Sequence, residues 1–165
     1  MKNVIFVCGT MGVGKTSACR ELQAVLERNV FLDGDWCWDA NPLVVTDETR
    51  AMVMDNIVHL LGSFLRCSAY DHVIFVWVMH RQAILDELLS RLDTAECRVK
   101  RISLLCDAPT LRARLQQDVD AGLRQEEVIA RSLRYLPLYG ALDTEKLDTT
   151  GLSPEDVARR IGGMP

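Results

Sequence analysis

Long hydrophobic runs are missing from the 165-residue sequence. The longest, Val73–Met79, falls far short of the ~20 residues that a helix needs to cross a bilayer, so no membrane partner is expected. A basic excess is lacking too. Nineteen Lys+Arg stand against 23 Asp+Glu, giving a net charge of −4 and a pI near 5.4, which argues against a broad nucleic-acid face. The cysteines at 8, 19, 37, 67, 97 and 106 form neither Cys-x-x-Cys nor a Cys/His cluster at metal spacing. Zinc and a disulfide framework are therefore poor expectations, and the thiols read as small hydrophobes of a cytoplasmic protein. No small-residue cleavage site follows a longer hydrophobic stretch near Met1, so no secretory leader is expected. Internal repeats, low-complexity tracts and linkers are likewise absent. What is present, 48% hydrophobic and 25% charged residues, suits one domain over 1–165, as a monomer or homodimer.

Short apolar runs alternate with segments of helical period. Lys2–Cys8 and Val73–Met79 read as strands buried on both faces. Val30–Leu32, Val99–Leu105 and Lys146–Thr149 complete five. Thr16–Glu27 and the residues from Ile84 to Leu92 carry apolar side chains at helical spacing, and a long helix is expected from Thr46 or Asp47 to about Cys67–Tyr70. Asp107 with Pro109, and Ser153 with Pro154, mark two more helix starts. Trp36–Val45 has no clean period and reads as loop, and 112–134 is rich in arginine. Strands and helices in this order predict an α/β protein: a five-stranded parallel sheet between two helical layers.

The decisive segment is Gly9-Thr10-Met11-Gly12-Val13-Gly14-Lys15-Thr16. It fits G-x-x-x-x-G-K-S/T at every fixed position, between the first strand and the first helix, which is the context that a phosphate-binding loop requires. A chance match in a chain of this length is on the order of one per cent. Glycines let the backbone N–H groups converge on an anion, and the following helix, opening at Lys15–Ser17, adds its positive end. Lys15 would then reach the terminal phosphates, and the Thr16 hydroxyl would hold Mg²⁺.

Other segments narrow the class. No Asp-x-x-Gly follows Val73–Met79, where the strand runs into His80, and Glu145-Lys146-Leu147-Asp148 has glutamate in place of the asparagine of a guanine-reading motif. This argues against a Ras-like GTPase. Motor ATPases are generally longer and carry an acid at the end of a core strand, which is also missing here. The phosphate loop, Leu32-Asp33-Gly34-Asp35 after the second strand and Leu147-Asp148-Thr149-Thr150 before the last helix together resemble the small-molecule and nucleotide kinase branch of P-loop proteins. That branch includes shikimate, gluconate and adenylylsulfate kinases and chloramphenicol phosphotransferase, and within it the chain looks like a bacterial P-loop nucleotide kinase. The resemblance implies the P-loop NTPase fold with a short helical lid near 112–134, ATP and Mg²⁺ as cofactors, and a small-molecule acceptor.

It also implies roles. A carboxylate of Asp33 or Asp35 would sit beside the acceptor hydroxyl; a turn at a strand end explains the same Asp-Gly-Asp. Trp36 and Trp38 either stack on the acceptor or pack the loop on the sheet. Arg50 either meets an anionic acceptor or is a solvated surface residue. His80, at the carboxyl end of a strand, is placed near a ligand crevice by topology, though it also suits a helix cap. Leu111-Arg112-Ala113-Arg114-Leu115 resembles the helix that introduces the lid, with Arg114 packing on adenine. The second arginine, frequent four residues later, is Asp118 here, leaving Arg124, Arg131 or Arg134 to touch phosphate as charge develops. Asp148 and Thr149 would lie near the base. The reading is an ATP-dependent kinase that phosphorylates a small hydroxylated or nucleotide acceptor; the alternative is a nucleotide-binding regulatory ATPase module with little phosphotransfer.

Overall fold

The computed structural model describes residues 1–163. Strands β1 (Lys2–Cys8), β2 (Asn29–Asp33), β3 (His72–Trp77), β4 (Cys97–Leu105) and β5 (Glu145–Asp148) form one sheet in the order β2-β3-β1-β4-β5. Every pair is parallel, and helices cover both faces. This is the α/β sandwich of P-loop proteins. Because strand side chains alternate between faces, β1 divides its apolar residues. Ile5 and Val7 join a core with α1 (Lys15–Val25), α4 (Ala108–Asp120), α5 (Glu127–Tyr135) and α6 (Pro154–Gly163). Val4, Phe6 and Cys8 join a second core with α2 (Asp47–Arg66), α3 (Gln82–Ser90) and Tyr139. Among the described residues no helix is long and apolar enough to cross a membrane. All six cysteines are free; Cys8, Cys19 and Cys106 are buried and the others half-buried.

Side-chain capping explains the starts of α2, α4 and α6. The Thr46 side chain accepts from the Thr49 N–H while the Thr49 hydroxyl accepts from the Thr46 N–H, a reciprocal box that begins α2 one residue later, at Asp47. Asp107 Oδ1 accepts from the Thr110 N–H at 2.7 Å, with Pro109 in the first turn of α4. Two expectations need correction. β3 stops at Trp77 rather than Met79, because its last partner on β1 is Cys8, beyond which β1 becomes the phosphate loop. Buried Met79 then turns the chain at a φ of 35°, a left-handed conformation unusual for a non-glycine residue. The segment 34–38 is a 3-10 helix rather than loop, started by Asp33, whose Oδ1 accepts from the Asp35 N–H at 3.1 Å.

The arginine-rich segment 112–134 is also not uniform. Leu115 of α4 and Val128 and Ile129 of α5 are buried in the core, whereas 120–127 is exposed throughout.

Candidate active site

The phosphate loop leaves β1 at Gly9 and wraps to Gly14, which has a φ of 99° and caps α1 without a side chain. No side chain therefore occupies the N–H groups of the first helical turn, which leaves them for an anion. Close packing holds the loop in shape. A Cβ on Gly12 would lie 2.5 Å from Leu115, and Gly12 itself has a φ of 82°, so only glycine fits there. Fully buried Thr10 donates its hydroxyl to the Ser132 carbonyl of α5 at 3.0 Å.

A cleft of ≈ 350 Å³ lies over this loop. Lys15 projects into it and donates to the Thr10 carbonyl at 3.0 Å. Burial pushes the Lys15 ammonium down to about 8, against the opposing pull of Asp35 and then Asp33, with Arg124 adding to the depression. Thr16 donates its hydroxyl to Asp33 Oδ2 at 3.0 Å, and Asp33 is only 8% exposed. Asp35 is the more accessible carboxylate. Desolvation, followed by the neighbouring Asp33 charge, raises its pKa, while Lys15, a hydrogen bond with the Trp77 side chain and Arg124 oppose the rise. The two aspartates thus differ in environment, one tied to Thr16 and the other to Trp77.

Of Arg124, Arg131 and Arg134, only Arg124 lines this cleft. It does so through Asp118, whose Oδ2 accepts from the Arg124 Nε at 3.0 Å. Arg131 touches Met11 Sδ at 3.5 Å and shares an outer groove with Arg124. The Arg134 guanidinium lies 5.6 Å from the Tyr135 ring and is not among the residues lining the cleft. Arg114 ties the loop to the end of β5, donating to the Val13 carbonyl at 3.0 Å and to Thr149 Oγ1 and O at 3.1 and 3.0 Å. Thr149 is buried. Asp148 accepts from the Thr150 N–H at 2.8 Å, which lowers its pKa.

A second cavity, of ≈ 460 Å³, adjoins the first. Trp77 and Val78 line both. Trp38, Arg50 and His80 face this second space, whereas Trp36 does not. The 3-10 turn sends Trp36 to the outer edge, where its ring lies 5.5 Å from Phe31 and the Arg20 guanidinium lies 5.1 Å away. His80 stacks on Tyr135 at 4.9 Å and 8°, and its pKa is lowered by burial and then by Arg81. Sequence reasoning missed Trp77, Gln117 and Tyr135 as lining residues. The one available signal for Trp77 was its position at a strand end that topology places over the crevice.

Gly34 is what permits Trp77 to stand there. A Cβ at position 34 would lie 2.4 Å from Trp77 Cγ. Gly34→Ala is expected to cost about 1–3 kcal/mol by overpacking, measured by denaturant unfolding, and to shift the tryptophan emission. Unchanged stability and emission would show that Trp77 is not held by this contact.

Known proteins share the architecture. A tunicamycin resistance protein from Deinococcus radiodurans superposes with a TM-score of 0.70 at 21% identity, covering 100% of this chain and 98% of that one. A gluconokinase from Sinorhizobium meliloti gives 0.70 at 18%, covering 96% and 89%. A shikimate kinase from Acinetobacter baumannii, solved with shikimate, gives 0.62 at 23%, covering 98% and 90%. No curated protein sequence matches the chain. A family model described as an AAA domain matches residues 5–131, a span that holds the phosphate loop, both aspartates, Arg114 and Arg124. With the loop built between β1 and α1 of a parallel sheet, the chain belongs to this P-loop family of AAA domains.

Proposed function

We propose that the protein is an ATP- and Mg²⁺-dependent kinase that transfers the γ-phosphoryl group to a hydroxyl of a small acceptor. The observation that carries this reading is the pair of adjoining cavities sharing Trp77 and Val78. One is lined by the phosphate loop and the other is large enough for a small molecule. The gluconokinase and shikimate kinase that share the fold support it.

The donor set fits magnesium. Thr16 Oγ1 and the Asp33 carboxylate are hard oxygens in contact. Among the described residues no group of three or more His, Cys, Asp or Glu forms a metal cage, and Mg²⁺ typically binds through one or two protein oxygens plus nucleotide phosphates. Bound there, it would neutralise charge on the phosphate oxygens. Lys15 and Arg124 supply positive charge to the transferring group. Asp35 orients the acceptor hydroxyl and takes its proton as the oxygen bonds to the γ-phosphorus. The bond from that phosphorus to the bridging oxygen breaks, and its electron pair leaves on ADP. The base would rest toward Arg114 and the end of β5, where Thr149 accepts from Arg114 beside Asp148.

ADP formation with ATP and Mg²⁺ is expected to depend on an added alcohol and to be lost on EDTA treatment. ATP binding without acceptor-dependent ADP would overturn the kinase reading and leave a nucleotide-binding module.

A further inference from the structure

The second cavity is unlike a site for a polyol. Its floor is aliphatic, from Val53 and Met54 of α2 and Ile84 of α3, and its walls are Trp38, Trp77 and Tyr135. The charged groups facing it already have partners. Arg50 pairs with Asp47 at 3.3 Å, Glu87 with Arg91 at 3.4 Å, and Arg81 Nε donates to His80 Nε2 at 3.3 Å. With Nε2 accepting, a neutral His80 carries its proton on Nδ1, which is buried without a partner. Most of the lining is nonetheless aliphatic or aromatic, so a compact polyol would leave much of its hydroxyl surface against apolar walls. Flat rings, in contrast, stack on aromatic faces. At the mouth, Val45 lines the cavity and lies beside Leu43 and Val44, all three half-exposed or more, so apolar surface continues outward.

Resting on the kinase reading, we propose that the acceptor is an alcohol borne on a flat aromatic or heteroaromatic ring system. The ring occupies the space between Trp38, Trp77 and Tyr135, and the hydroxyl points past Trp77 toward Asp35.

Calorimetry and tryptophan quenching without nucleotide, followed by ADP release with ATP and Mg²⁺, would compare uridine and 4-nitrophenyl β-glucoside with gluconate and shikimate. The ring-bearing probes should bind at least about tenfold more tightly than the polyol acids. Tyr135→Ala should weaken them about tenfold. Val45→Arg, on an exposed loop and checked by a cooperative thermal melt, should do the same by narrowing the mouth. Preference for gluconate or shikimate, ring binding unchanged in both variants, or no binding of the ring probes would each overturn the inference. ADP formed only with a polyol acid would retain the kinase reading while rejecting the ring. Ring probes that bind through Tyr135 and Val45 without forming ADP would retain the ring and reject the kinase.

Discussion

Lys15→Ala is expected to weaken ATP binding by about 100-fold or more, the scale for truncating one partner of an enclosed charge pair. Lys15 brings a cation into the cleft, and burial, opposed by Asp35 and Asp33, sets its pKa at about 8 without nucleotide. Its ammonium form binds the anion. Below pH 8 the charge is already present and Lys15 adds no pH slope; above it the free enzyme loses the proton that binding must restore. Affinity should then fall by up to about tenfold per pH unit. Titration calorimetry with ATP in EDTA from pH 6.5 to 9.5 measures both effects, since the alanine variant should be weak and lack this pH slope. Wild-type affinity in Lys15→Ala would remove the phosphate loop from the binding site.

The second large effect concerns the aspartates. Asp35→Asn is expected to lower acceptor-dependent turnover by about 10²–10⁴, the usual contribution of a positioned general base, with little change in ATP affinity. Asp33→Asn should lower turnover as well, but with a rise in the magnesium concentration needed for half-maximal rate, because Asp33 contacts Thr16 and Asp35 does not. Steady-state kinetics at several magnesium concentrations separates the two. Wild-type turnover in both variants would mean that neither carboxylate serves the transfer.

The phosphate loop and the strand–helix order could be read from sequence because both are local. A glycine spacing, a cap and an apolar run each lie within a dozen residues. Asp33 and Asp35 could be named but not ranked, since their difference arises from Thr16 on α1 and Trp77 on β3, distant neighbours brought in by the sheet order. Trp36 and Trp38 were indistinguishable for a related reason. Two residues apart on an aperiodic stretch, they diverge only because Asp33 starts a 3-10 turn. Asp118 looked like a lost phosphate ligand, yet it holds Arg124 beside the cleft. Tyr135 gave no signal, because its partner, His80, lies 55 positions away and meets it only across the assembled sheet.

The hydroxyl of Thr10 on the Ser132 carbonyl links the phosphate loop to α5. Ser132 and Tyr135 sit one turn apart on α5, so the helix that braces the phosphate loop also lines the second cavity. Were phosphate to displace the loop, the shift would have only about 5 Å of helix to cross before reaching the adjoining cavity. Thermodynamic reciprocity then requires that whatever the nucleotide does to acceptor affinity, the acceptor does equally to the nucleotide.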